Sequence, residues 1–283
     1  KSVAPNLSLH ISTQANTTNG YSARFWADMG VKRIVLAREL SLDDITQIRD
    51  MLPDSVELEC FAHGAMCISY SGRCLLSSYL SERDSNRGEC VQACRWRYKM
   101  TEVNREGEPL ELFEDSRGSY IMNSRDLNMI EHIDKLDKAG VYCIKVEGRM
   151  KSAYYVANVI NAYRRAIDNY SNNPSKAIPD ELIKELWKSS NRGYTTGFYL
   201  NKESAKVSIN NSQSEGEYDF IAYVKGFDPQ KGALVEQRNR FKVGDKLQIL
   251  SPNKHFNDII TVKEMETVDG QYITDAKVVQ QLL

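Results

Sequence analysis

Val56-Glu57-Leu58-Glu59-Cys60-Phe61 alternates side chains with a period of two. That period belongs to a strand: Leu58 and Cys60 face one way, and Glu57, Glu59 and Phe61 the other. The same parity recurs twice. In the run Leu7 to Thr13, Leu9 and Ile11 oppose His10 and Ser12, with Gln14 following on the polar side. In Val141 to Val146, Tyr142, Ile144 and Val146 oppose Cys143 and Lys145, and the polar side continues into Glu147 and Arg149. Each run therefore has one greasy face and one carrying polar groups towards its C-terminal end. A fourth run, Arg33 to Ala37, completes the set. Between the runs, Tyr21 to Met29, Leu42 to Met51, Asp126 to Ala139 and Ser152 to Tyr170 have helical spacing, with Asn123-Ser124 as a cap and Gly30 and Gly140 as stops. Alternating strands and helices predict an α/β fold, a parallel sheet or barrel, in which sites form at the C-terminal strand ends.

The chain has 283 residues, 41% of them hydrophobic, enough for a large domain with a smaller one beside it. No apolar run approaches the roughly 20 residues of a membrane helix, and no basic start leads into an apolar stretch, so neither a span nor a signal peptide is expected. A reducing, cytoplasmic setting follows, in which thiols stay free to bind metal. The formal net charge of −1 gives no global attraction to polyanions, so RNA would have to be met by a local patch. The chain opens at Lys1 and runs at once into a strand-like segment, which reads as part of a longer protein.

Lys99 to Met122 is expected to be a small antiparallel insertion, with turns at Asn104 to Gly107 and Asp115 to Gly118. A linker from Ser204 to Gly216, rich in Ser, Asn and Gln, separates residues 1–203 from residues 217–283. The latter show short alternating strands, as in a small closed β-barrel. Lys225, Lys231, Arg238, Arg240, Lys242 and Lys246 there form either a basic face for RNA or a solvated surface.

Four of the 6 cysteines, Cys67, Cys74, Cys90 and Cys94, crowd into one segment, which points to a metal or iron-sulfur site. Thiolates close a tetrahedral zinc site or hold an iron-sulfur cluster. The spacing C-x6-C then C-x3-C is not a zinc-ribbon knuckle. On a helix the C-x3-C pair would share one face. Cys60 lies on the greasy side of its strand and reads as a core thiol, and Cys143 is a weaker candidate for fourth ligand than Cys94. His63 is a candidate for ligation or substrate contact, whereas His132 and His255 read as structural.

At Glu59-Cys60-Phe61-Ala62-His63-Gly64-Ala65-Met66-Cys67 and Ser71-Gly72-Arg73-Cys74-Leu75-Leu76-Ser77 the chain resembles the collagenase-like peptidase family U32. Ser12-Thr13-Gln14-Ala15-Asn16, Ala37-Arg38-Glu39-Leu40-Ser41, Cys90-Val91-Gln92-Ala93-Cys94-Arg95-Trp96, Lys145 to Ser152 and Asn191 to Gly197 carry the resemblance to about residue 200. It implies further β-α units ahead of Lys1, hence a partial (β/α) TIM-like barrel followed by the small C-terminal β-barrel. It also implies oxygen-independent hydroxylation, making 5-hydroxyuridine at the tRNA wobble position with prephenate as hydroxyl source. Cys67, Cys74, Cys90 and Cys94 match the positions of a four-cysteine [4Fe-4S] centre. Some relatives take one ligand from a later segment, where this chain has Asn128.

The expected catalytic residues are Glu59, His63, Lys145, Glu147 and Arg149, and the expected substrate-binding residues are Gln14, Arg38 and Arg73. Arg38, Lys145 and Arg149 offer cations to a small diacid or a tRNA phosphate. Glu59 and Glu147 offer acid, base or orienting roles, or belong to an internal ion-pair network. Arg95, Trp96, Arg97 and Tyr98 interleave cations with aromatics, as suits stacking on an unpaired base. The alternatives are a collagen- or peptide-degrading peptidase, drawn either with Zn or with Cys67 and His63, and an RNA-binding scaffold. No H-E-x-x-H or G-x-S-x-G is present. An open sheet edge favours a homo-oligomer.

Overall fold

The computed structural model describes residues 3–96, 99–101, 109–111, 124–200, 216, 218–230, 232–277 and 281–283. They form two compact units, Lys1–Glu215 and Gly216–Leu283. In the first, β1 (His10–Ile11), β2 (Arg33–Val35) and β3 (Glu57–Ala65) are parallel neighbours. The crossovers that parallel pairing requires are α1 (Gly20–Asp28) and α2 (Leu42–Asp50). Asn19 caps α1 by accepting the Ser22 N–H, and Ser41 with Asp44 forms a reciprocal capping box on α2. Ile34, Leu36, Ile45, Ile48 and Leu58 are almost wholly excluded from water, which places the core between this sheet and its helices.

The short helix α3 (Leu76–Ser81) follows, then a hairpin of β4 (Lys99–Thr101) and β5 (Pro109–Glu111), which is the described part of the expected insertion. Next come β6 (Asp126–Asn128), α4 (Ile133–Lys138), β7 (Cys143–Glu147), α5 (Ala153–Asn172), α6 (Asp180–Lys188) and β8 (Tyr194–Thr195). Strand β3 organises the sheet. β7 runs parallel along one edge, from Glu59↔Cys143 to Gly64↔Glu147. β2 and β6 therefore share the other edge in succession: β2 pairs with Glu57 to Glu59, and β6 pairs antiparallel with His63 to Ala65. β8 extends the sheet from β6. The β3–β7 register shifts between Phe61 and His63, and two tyrosines from outside the sheet bond to the β3 backbone there. Tyr199 donates to the Phe61 carbonyl at 2.7 Å and Tyr163 to the Ala62 carbonyl at 2.8 Å.

Several elements depart from the sequence reading. The first run yields only His10–Ile11, because Ser12 caps a 3₁₀ turn over Thr13–Ala15. The third reaches Ala65, beyond Phe61. Asp126-Leu127-Asn128 is a strand and not the start of a helix: pairing with β3 and burial of Asp126 and Leu127 override the helical spacing, and α4 begins only at Ile133. Ser124 is no cap there, since its hydroxyl donates to the Met66 carbonyl. Helices α3 and α6 were not expected. The fold is mixed α/β, with a central, mostly parallel sheet.

The second unit contains β9 (Ala222–Asp228), β10 (Gly232–Gln237), β11 (Phe241–Lys242), β12 (Lys246–Gln248), β13 (Ile259–Thr261), β14 (Met265–Glu266), β15 (Tyr272–Ile273) and β16 (Asp275–Ala276). They pair antiparallel in twos, β9 with β10, β11 with β16, β12 with β13 and β14 with β15. Phe241, Met265 and Ala276 form their small core. Of its expected basic face, Lys225 and Arg238 pair with Glu236, Arg240 with Asp275, and Lys231 lies outside the described residues. Among the described residues no helix is long and apolar enough to cross a membrane.

Candidate active site

The cysteine segment is fastened to the C-terminal ends of β1 and β2 by one serine. Ser71 donates its N–H to Glu39 at 2.7 Å, and its hydroxyl oxygen accepts from the Arg38 N–H at 3.3 Å. Gly72 allows the approach: its φ is +73°, and a Cβ there would stand 2.1 Å from the Gln14 carbonyl oxygen. Gly64 plays the same part at the end of β3, where φ is +106° and a Cβ would lie 2.2 Å from the Glu147 carbonyl oxygen.

A buried ion pair joins the two limbs of the segment. Arg95 donates to Asp126 on β6 at 3.0 Å and to the Met66 carbonyl at 3.2 Å, tying the residue after Cys94 to the residue before Cys67. The side chains of Arg95 and Asp126 are 4% and 0% exposed, so each depends on the other for solvation. Lys151 lies 3.7 Å from the second Asp126 oxygen and donates to the Ser190 carbonyl at 2.8 Å. Burial pulls Lys151 below its ordinary range, opposed by Asp126 and reinforced by Arg95 and Arg192. Burial and Arg95 lower Arg192 in turn, with Asp126 and Cys94 opposing. Three cations thus surround one carboxylate beside Cys94.

Cys67, Cys74, Cys90 and Cys94 are all free thiols of intermediate exposure. Burial pushes Cys94 up to about 11; Arg95 opposes the rise, and the charges of Cys67, Cys90 and Cys74 add to it. Burial also acts upward on Cys74, but Ser85, the backbone of Leu76, Ser69 and the backbone of Ser77 together bring it below its usual value. The other three sulfurs lie within electrostatic reach of Cys94. The four are not gathered into a coordination shell: among the described residues no group of three or more His, Cys, Asp or Glu side chains is arranged to hold a metal ion. Cys90 and Cys94 do not share an α-helix face either, because only a 3₁₀ turn, Ala93–Arg95, forms there. The donor set suits a thiolate-bound metal or iron-sulfur centre in number and chemistry.

Cys67 opens onto a cleft of about 620 Å³, lined among others by Glu39, Tyr70, Arg125 and Phe198. Of the other expected residues, Glu59 is buried between Arg33, at 3.1 Å, and Lys145, at 3.5 Å, on the polar face of the sheet. Arg38 stacks on Phe61 at 4.5 Å, with its Nε buried and without a partner among the described residues. Gln14 Oε1 is in the same condition. Glu147 accepts the Arg149 N–H, the Arg149 guanidinium lies against Gly88, and Arg73 is exposed. His63 is only 1% exposed, packed among Tyr155, Tyr163 and Tyr194, and neither ring nitrogen has a hydrogen-bond partner among the described residues. Burial pushes its pKa down to about 4, so it is neutral at pH 7. Arg95 is held inside by Asp126 and so presents no stacking face, whereas Trp96 is exposed and Arg97 and Tyr98 lie outside the described residues. Cys60 is buried, and Cys143 opens β7, paired with Glu59. Asn128 is engaged with the Tyr163 hydroxyl. Asp126 and Arg192 were not expected at the site; no local signal marks an aspartate whose partners are 31 and 25 residues away in sequence.

The chain matches the models of Peptidase family U32 over residues 1–209 and of the Peptidase family U32 C-terminal domain over residues 216–283. The tRNA hydroxylation protein P of Escherichia coli (strain K12) is 36% identical, over 94% of this chain and 67% of its own length. The Collagenase of Porphyromonas gingivalis (strain ATCC BAA-308 / W83) is 36% identical, over 68% of this chain and 47% of that protein. The 23S rRNA 5-hydroxycytidine C2501 synthase of Escherichia coli (strain K12) is 37% identical, over 58% of this chain and 24% of that one. The chain thus spans about two thirds of the first of these and less than half of the other two. No solved structure matches it. With both models met in order along the sequence, and the quoted motifs assembled at one rim of one sheet, the chain belongs to peptidase family U32.

Proposed function

We propose that this chain is an RNA-hydroxylating enzyme that places a hydroxyl on C5 of a pyrimidine, the wobble uridine of tRNA in particular. The observation that carries the reading is a segment with four free thiols, three of them within electrostatic reach of Cys94 and one opening onto a nucleotide-sized cleft, in a chain with relatives named for tRNA hydroxylation and 5-hydroxycytidine synthesis. Cys67, Cys74, Cys90 and Cys94 would hold a [4Fe-4S] cluster, which supplies one-electron chemistry when bound. The chain's own residues supply the setting. Arg95 and Asp126 hold the two thiol limbs together, and Lys151 and Arg192 add positive charge beside Cys94. Arg38, Lys145 and Arg149 offer cations to a small carboxylate co-substrate such as prephenate.

This reading takes the sheet as part of a (β/α) barrel with its site at the C-terminal strand ends, and the second unit as an RNA-docking β-barrel. The Collagenase relative favours peptide cleavage as a second reading, with zinc on the same thiols. A Cys67–His63 dyad draws no support, since His63 is enclosed by tyrosines with its ring nitrogens unpaired among the described residues. Anaerobic purification tests the centre: bound iron and sulfide with visible absorbance are expected, and tight zinc in colourless protein would favour the peptidase. Nucleoside analysis of bulk tRNA from a deletion strain should show loss of 5-hydroxyuridine. Unchanged tRNA together with gelatin cleavage abolished by Cys74→Ala would reverse the assignment.

A further inference from the structure

We propose that the cleft beside Cys67 receives the pyrimidine ring itself, with Glu39 accepting a ring N–H and Tyr70 and Phe198 offering stacking surfaces; this rests on the RNA-hydroxylation reading. The cleft's volume, about 620 Å³, is in the range of small-molecule sites and admits a nucleotide. Its walls suit a neutral planar ring better than an anion, because acidic Glu39 and Asp44 line it with Arg125 as the one basic residue of the lining. The carboxylate co-substrate and the RNA phosphates are thereby directed to the cations outside it.

Glu39 is the pointed observation. One of its oxygens is fixed at 2.7 Å by the Ser71 N–H, while the other is buried and has no partner among the described residues. A buried carboxylate oxygen left unpaired is costly, and a ligand N–H at the cleft wall would satisfy it. Tyr70 has 68% of its surface exposed on the same lining, a free aromatic face of the sort that holds an unstacked base. RNA-modifying enzymes must draw the target base out of its stack before reaching a ring carbon, so a pocket of this shape next to a thiol-bearing loop meets that need. The N3–H of uridine is the donor that Glu39 would take.

The test uses the full chain with uridine and 3-methyluridine as probes, read by saturation-transfer difference NMR and titration. Uridine should bind, and 3-methyluridine should bind about tenfold more weakly or worse, the loss expected for one hydrogen bond to a charged acceptor. Tyr70→Ala, an exposed change that leaves the fold intact, should weaken uridine by about tenfold through lost stacking. Glu39→Gln, which keeps an acceptor for the Ser71 N–H, should erase the preference for uridine over 3-methyluridine. Equal binding of the two nucleosides, wild-type affinity in both variants, or no uridine signal would overturn the proposal. In cells, 5-hydroxyuridine restored equally by wild type and both variants would also sink it while leaving the hydroxylation reading intact. Selective uridine binding in a chain that makes no 5-hydroxyuridine would support the site and remove that reading.

Discussion

Replacing Asp126 by Asn removes a charge while keeping the shape of the side chain. Arg95, 4% exposed, and Lys151, 13% exposed, then face each other and Arg192 without a counter-charge. Removing one partner of a buried pair costs about 3–5 kcal/mol. Asn retains an oxygen for the Arg95 fork, so the low end applies, about 3 kcal/mol. At a urea dependence of about 3 kcal/mol per molar, the unfolding midpoint should fall by roughly 1 M. Tryptophan fluorescence reports this cleanly, because Trp26, Trp96 and Trp187 all belong to the first unit. A cycle with Arg95→Met isolates the pair: the double variant should lose less than the sum of the singles, by about 2 kcal/mol. A loss below about 1 kcal/mol for Asp126→Asn, or strict additivity in the cycle, would refute the view that the pair is mutually dependent.

Three further outcomes follow from the same geometry. His63 is held at about 4 in the folded state, below its unfolded value of 6.5, so its contribution is fully present above pH 6.5 and lost as pH falls towards 4. The loss, about 3 kcal/mol, should disappear from the pH dependence of unfolding in His63→Asn, and an NMR titration of the ring that gives a value near 6.5 would contradict the burial argument. Gly72→Ala forces a left-handed backbone and a clash with the Gln14 carbonyl, so the loop bearing Cys67 and Cys74 should become sensitive to limited proteolysis while far-UV circular dichroism is kept. Tyr163→Phe removes a hydroxyl shared by the Ala62 carbonyl and the Met129 N–H, which keep their direct 2.9 Å bond, and should cost about 1 kcal/mol, against nearly nothing for Tyr170→Phe on the surface.

Much of the sheet was legible because its signals are local. Alternation in Val56 to Phe61 announces β3, and the helical spacing of Leu42 to Met51, with Ile45 and Ile48 buried, announces α2. Asp126 to Asn128 misled because Ile130, Ile133 and Leu136 do recur at helical spacing just downstream, while the pairing that makes a strand of it comes from His63 to Ala65, some sixty residues earlier. The crowding of thiols pointed to a shared site, since unrelated core cysteines have no reason to cluster. The Arg95–Asp126 tie that brings their limbs together was hidden: an arginine among aromatics reads as a surface for bases, and Asp126 reads as the first residue of a helical stretch capped by Asn123-Ser124. Two-body electrostatics between distant segments leave no periodicity to find.

The Met66 carbonyl oxygen accepts from both Arg95 and Ser124. A single atom therefore anchors the departure and the return of the polypeptide on either side of residues 96–123. Replacing the residues between those two posts should leave the sheet and its thiols undisturbed, which would let evolution, or an engineer, exchange that stretch of sequence as one cassette.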